Sequence, residues 1–523
     1  MRKFIAFIKE EKQLVFFNTV ILVITFGFRL FNWSIGRDTD LYVKYGYHKY
    51  QPWGETGKAG LVALKKVFDV FDFNIYFANI VSLFLMLAGT MIWCYFLYYF
   101  SNKNNKVATM LFSGFYLTSG VIVEHYSFTL QNIEIFLAMM FVPVVVMLFY
   151  YGLNRRKMSA IVVSVALATV LILVYQAILL MICASMIVAF VLINNNEEIK
   201  NITIKKQIFS IIATIGSSTV LYFIISKILI LLYFKNSSSY LTDKVRIYKS
   251  FGSFIKQILL YTYMLIFGNS KIVSKYIDPI LINKAHGGES TINSLHTFFS
   301  GTASVLFLII PVLFYVILIK KNRKTISVIL FSLLLIPCML FFFIIGSGEG
   351  GIRVHMALPI SLSFMVWYIV CNFNFKLVRR IIVTVLLCAL LVQINRTVNC
   401  FTTDYAVYNQ DKEICNNINN EINRLKLKKH KILVIGKHKE RLSNSMRKTF
   451  IMGNSVFNWG EMGNGGTTIR STAFMYGLGI KYEPLTDSKL ISQLKRLSEK
   501  MPTYPADGYI KLCKNIVVIK LSN

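Results

Sequence analysis

Apolar residues in this chain are collected into long blocks separated by short polar connections, beginning with LVFFNTVILVITFGFRLF at 14–31. A helix needs about 20 such residues to cross the ~30 Å hydrocarbon slab of a bilayer. The blocks fall at about 14–32, 75–99, 107–123, 132–151, 158–174, 177–193, 208–234, 302–319, 325–345, 357–371 and 381–395. They predict an all-α polytopic membrane protein of about eleven transmembrane helices. The run from Met158 to Ile193 is too long for one helix and is divided at its polar break, Tyr175 and Gln176. A further run at 252–268 reads as an amphipathic or re-entrant segment at the membrane surface.

Beyond residue 395 the pattern changes. KILVIG at 431–436 and NIVVIKL at 515–521 read as strands, and DSKLISQLKRLSEK at 487–500 as a helix. A small C-terminal α/β domain over 396–523 is therefore expected after a transmembrane domain over 1–395, whose long connections are 33–74 and 235–301.

Charge then orients these spans. With the N-terminus in the cytoplasm, the alternate connections carry Lys103 and Lys106; Arg155, Arg156 and Lys157; Lys200, Lys205 and Lys206; KKNRK at 320–324; and Lys376, Arg379 and Arg380. These are the cations that cytoplasmic loops collect, so the long connections and the C-terminal domain are expected outside. The same rule accounts for much of the net charge of +32 without a nucleic-acid partner. Excess external lysines suit membrane lipids or acidic glycans. The head MRKFIAFIKEEKQ is followed by no small-residue cleavage site before Trp33, which reads as an uncleaved first helix. The eight cysteines are scattered with no CxxC spacing and read mainly as small hydrophobes. For Cys400, Cys415 and Cys513, on the outer side, no pairing can be read.

The candidate chemistry lies at the outer helix ends. WSIGRDTDLY at 33–42 places Arg37, Asp38 and Asp40 just beyond the first apolar block. A solvated helix cap is the plainer reading of such acids. Yet Tyr42, Tyr45, Tyr47, His48 and Trp53 follow, with the flat faces that line sugar pockets, and then the turn GETGKAG with Lys58. Glu124 and His125, Tyr175 and Gln176, and Arg353 and His355 fall at other outer ends, where they can converge on one cavity. Taken singly, Glu124 and His125 read more often as interfacial residues, and Tyr175 with Gln176 as a hairpin between helices. Arg353, in GSGEGGIRVH, offers a guanidinium suited to bidentate grip on a phosphate.

These parts fit group transfer from a lipid phosphate. On an extended segment Asp38 and Asp40 would point to the same side, one as general base and the other as its orienting partner. Arginine and lysine would neutralise the departing phosphate, and a carboxylate would stabilise oxocarbenium character at a sugar carbon. Two carboxylates alone make a poor dedicated metal site, so no metal or other cofactor is expected, although a divalent ion there stays open. GEMGNGGTT at 460–468 resembles a phosphate-binding loop but lacks its lysine. Trp459 and Tyr504 read as glycan contacts or as packing.

Together SIGRDTD, W-x-x-x-GKAG at 53–60, EHYSF at 124–128, YQA at 175–177 and MPTYPADGYIKLCKNIVVIKL at 501–521 resemble the bacterial membrane glucosyltransferase II family, which includes serotype-converting O-antigen glucosyltransferases. The resemblance implies an inverting GT-C type glycosyltransferase of the bacterial cytoplasmic membrane. Its donor would be a polyprenyl-phosphate-linked hexose, glucose in the family, and its acceptor a cell-surface glycan. The catalytic acid of the first outer loop maps to Asp38 or Asp40. One departure is Gly57-Lys58-Ala59-Gly60, where the family pattern GR-x-G has an arginine; lysine keeps the charge and loses the planar fork. Two competing classes are a lipid-linked glycan transporter or flippase, which would place polar groups at mid-membrane, and an assembly protein whose tail recruits a partner.

Overall fold

The computed structural model describes residues 2–36, 38–46, 50–68, 73–102, 105–196, 202–234, 297–322, 326–344, 351–373, 375–428, 430–449, 451–458 and 466–522, with a few positions between 250 and 259. Arg37, Tyr47, His48, Trp459, most of the glycine-rich 460–468 stretch and nearly all of 252–268 lie outside the described residues. The chain divides into two compact units. One comprises Met1–Leu30, Tyr50–Ile282 and Ser290–Val398; the other comprises Phe31–Lys49, Asn283–Glu289 and Asn399–Asn523. The segment after the first apolar helix thus belongs with the C-terminal residues.

The first unit is helical. Lys12–Phe31, Ile75–Ser101, Asn132–Arg155, Ile204–Phe234 and Lys376–Arg424 are long and apolar enough to cross a membrane. The pair Lys106–Leu117 and Gly120–Ser127, bent by 45°, makes a sixth if taken as one span. By length and composition the described residues therefore provide five spans, or six with the bent pair, and do not by themselves account for all eleven expected. Met158–Val174, Ile178–Asn194, Ile326–Phe341 and Ala357–Asn372 are apolar but shorter. At 1.5 Å per residue, a helix of about 17 residues reaches only about 25 Å, short of the ~30 Å slab. The break at Tyr175 to Ala177 between two of these helices falls where the polar interruption predicted it. Helix starts carry local caps: the Asn74 and Asn105 side chains accept from the backbone N–H groups of Phe77 and Ala108. At the 45° bend, Thr118 Oγ1 contacts the Gly114 carbonyl at 2.9 Å and Gln393 Oε1 at 3.0 Å.

The C-terminal unit is built on a three-stranded sheet. Strands β1 (Lys431–Ile435), β2 (Ile510–Cys513) and β3 (Ile516–Lys520) lie in the order β1-β3-β2, with β1 parallel and β2 antiparallel to β3. Continuous apolar runs in KILVI and IVVIK fit strands covered on both faces. Ile432, Val434, Val517 and Ile519 face a cluster with Ile414, Cys415, Ile418 and Ile422 of Lys376–Arg424 and Phe474 and Met475 of the helix Gly466–Gly477. Leu433, Ile516 and Val518 face a second cluster with Ile491 and Leu494 of the helix Ser488–Leu497. Asp487 caps that helix, accepting from the N–H groups of Lys489 at 2.9 Å and Leu490 at 3.1 Å. All eight cysteines are free thiols.

Candidate functional site

Within the C-terminal unit, the residues after the first apolar helix do not run extended. A short helix, Thr39–Tyr45, begins directly after Asp38, which precedes it with φ +68° and ψ −26°. This left-handed conformation is unusual outside glycine, and aspartate is among the residues that tolerate it. A shared strand face therefore does not explain why Asp38 and Asp40 come together. Arg470 does, from the helix Gly466–Gly477. Its Nη2 donates to Asp38 Oδ1 at 3.2 Å, and its Nη1 to Asp40 Oδ1 at 3.4 Å and Oδ2 at 3.3 Å. The two carboxylates are placed differently: the Asp40 side chain is 3% exposed and that of Asp38 30%.

The segment carrying the pair is anchored along its length. Ser34 Oγ donates to Asp404 Oδ2 at 2.8 Å, while the Gly453 N–H holds Asp404 Oδ1 at 2.9 Å. Lys44 Nζ donates to the Tyr482 carbonyl at 2.9 Å. Burial lowers the Lys44 pKa, opposed by the charge of Glu483, and burial raises that of the Tyr45 phenol, opposed by its hydrogen bond with Thr472. Ile35 packs so closely on Gly477 that a Cβ there would lie 2.7 Å from its Cδ1. Sequence reasoning missed Arg470, which lies 430 residues from Asp40. The available signal was a lone cation in GTTIRSTAFMYG, among small and apolar residues that offer it no counter-charge.

Within the helical unit, the other singled-out residues form a connected cluster. Glu124 Oε2 accepts the backbone N–H of Arg353 at 3.0 Å, and His125 Nε2 lies 3.1 Å from the Arg353 carbonyl. A carbonyl only accepts, so this ring nitrogen is the one that carries the proton. The acid and the histidine thus grip the main chain at Arg353 and leave its side chain for other uses. The guanidinium lies 4.3 Å from the Phe128 ring centroid. His125 Nδ1 and Arg353 Nη1 are buried with no hydrogen-bond partner among the described residues. Tyr175 meets the His125 ring edge to face at 5.4 Å and carries Lys58 Nζ 5.3 Å from its own centroid.

Compared with known proteins, the chain matches no family model and no curated protein.

The turn before Lys58 has a structural logic of its own. Gln176 Nε2 donates to the Thr56 carbonyl at 2.7 Å and to the Tyr222 hydroxyl at 3.1 Å. Gly57 has φ +81°, and a Cβ there would lie 2.7 Å from Tyr222 Oη; one on Gly60 would lie 2.8 Å from the Leu173 carbonyl carbon. Both glycines of GKAG let the helix Ala59–Phe68 approach its neighbours. Trp53 stacks on Tyr50 at 5.4 Å and is buried, and His355 turns its Nδ1 to the Met339 carbonyl at 3.1 Å. In the C-terminal unit Tyr504 packs on Tyr509 at 5.2 Å and accepts from Asn417 at 3.0 Å. A second feature missed in the sequence is the sealed ion pair of Lys65 Nζ and Glu134 Oε1, 2.9 Å apart with side chains 4% and 0% exposed.

Proposed function

We propose that the protein is a multi-pass membrane hexosyltransferase that moves a sugar, glucose by the resemblance, from a polyprenyl-phosphate donor to a cell-surface glycan. The reading places the reaction at the outer face of a bacterial cytoplasmic membrane, with the N-terminus in the cytoplasm and a GT-C-like membrane domain of about eleven crossings. The observation that carries it is the acid pair just after the first apolar helix, with one carboxylate partly open to solvent and both held by one guanidinium.

In the proposed step an acceptor hydroxyl oxygen forms the new bond to the anomeric carbon, and its proton passes to Asp38. The bond from that carbon to the phosphate oxygen breaks, and its electron pair leaves with the polyprenyl phosphate. Cations at the outer helix ends would neutralise the leaving phosphate. The test is glycan analysis of cells carrying the wild-type chain, Asp38→Asn or Asp40→Asn. Loss of a side-branch hexose with either variant, at unchanged protein level, supports the reading; full modification with both overturns it.

A second reading, transport of a lipid-linked glycan, is favoured by one observation. Ionisable pairs sealed within apolar helices, as Lys65 and Glu134 are, often mark transport paths. Purified protein in vesicles, supplied with a polyprenyl-phosphate hexose, separates the two: transfer to glycan without a gradient belongs to the enzyme, translocation without product to the carrier.

A further inference from the structure

The C-terminal unit contributes Arg470 to the acid pair, and from this geometry we infer that Arg470 is a positioning residue that fixes Asp40 as a buried anchor and presents Asp38 as the reactive carboxylate. The inference rests on the transferase reading above and deepens it, because it chooses between the two acids and makes the C-terminal unit part of the site rather than a recruiting tail.

Three facts carry it. The guanidinium divides its two terminal nitrogens between the acids, Nη2 to Asp38 and Nη1 to both oxygens of Asp40. A planar fork does this with one rigid group, whereas an ammonium is a point charge that cannot hold two carboxylates at fixed angles. The acids differ in access: Asp40 is nearly sealed at 3%, while Asp38 keeps 30% of its side chain open. Finally, the Asp38 backbone is held left-handed at φ +68°, an uncommon state that persists only where surroundings impose it. The anchors at Ser34, Lys44 and Ile35 impose it from both sides of the pair. Asp38 is thus the acid able to receive a proton from a hydroxyl, and Arg470 sets where it stands.

The test uses the full chain in membranes of cells that make the glycan, with radiolabelled polyprenyl-phosphate glucose as donor. Arg470→Met should lower kcat by about 10²-fold, the scale of a misplaced reacting group, with the donor KM within about twofold of wild type, as expected when only transition-state geometry is lost. Arg470→Lys should recover only part of that loss. Asp40→Asn should resemble Arg470→Met, and combining the two should cost little more than either alone, because they act as one unit. Wild-type kcat in Arg470→Met, or a raised KM with unchanged kcat, overturns the inference. If the methionine variant does not fold, wild-type kcat in Arg470→Lys overturns it equally. Loss of transfer in Asp38→Asn alongside full transfer in the Arg470 variants sinks this inference alone, whereas full transfer in both aspartate variants sinks the transferase assignment itself.

Discussion

The two units each hold an arginine or lysine against carboxylate, and they do so in opposite ways. In the helical unit Lys65 and Glu134 are sealed at 4% and 0% exposure. In the C-terminal unit Arg470 is shared between a sealed acid and an open one, at 17%, 3% and 30%. A sealed pair is closed to solvent, so breaking it strands a buried charge. A shared cation holds both acids and leaves Asp38 the more exposed of the two. Burial, more than charge, separates the pair that shapes the protein from the pair suited to chemistry.

The largest expected effect breaks the sealed pair. Glu134→Ala strands the Lys65 ammonium away from water, which costs about 3–5 kcal/mol, while pairing Lys65→Met with Glu134→Leu recovers most of it. Thermal unfolding of the detergent-solubilised chain, followed through its helical signal, measures both. Of comparable order is a pH effect confined to the C-terminal unit. Asp411, in the polar half of Lys376–Arg424 beyond the apolar stretch, is pushed up to about 7 by burial, against hydrogen bonds from Ser455 and Val456 and with added repulsion from Glu440 and Asp404. The folded state therefore keeps a proton that the unfolded chain releases above about pH 4. Stability of this unit should fall as pH rises from about 4 to about 7 and level off above, and Asp411→Asn should flatten that slope in denaturant titrations.

Smaller effects sharpen the contrast in packing. Gly60→Val places a side chain against the Leu173 backbone, 2.8 Å from the carbonyl carbon, where nothing can yield, and should cost about 1–3 kcal/mol. Gly477→Ala meets instead the tip of Ile35 at 2.7 Å, a side chain that can rotate, and should cost less in the same measurement. Smallest is Asp487→Ala, which removes a helix cap and should lower the C-terminal unit's stability by about 1 kcal/mol.

Much of the fold was legible where the signal is local. The apolar runs KILVI and IVVIK lie in the sheet, the amphipathic SKLISQLKRL is a helix, and Tyr175 with Gln176 marks a helix break. Strand β2 escaped because IKLC is short and mostly unburied, and its pairing depends on β3. The acids at 38 and 40 were visible, but their conformation was not. Gly36 and Arg37 suggest continued coil, and the left-handed turn at Asp38 is set by partners hundreds of residues away. Lys65 reads as an ordinary basic helix end, and Glu134 as an acid that favours a first helical turn; only packing shows that they meet. The number of spans was not legible, since hydropathy reports apolar length and says nothing of where a helix stops.

Because Phe31–Lys49 is built into the C-terminal unit, cutting the chain at 399 would not release a finished domain. In the fragment Gly477 would lack its contact with Ile35, and Arg470 would lack the carboxylates of Asp38 and Asp40. A synthetic peptide of residues 31–49 added in trans should bind the fragment and raise its stability, by fragment complementation.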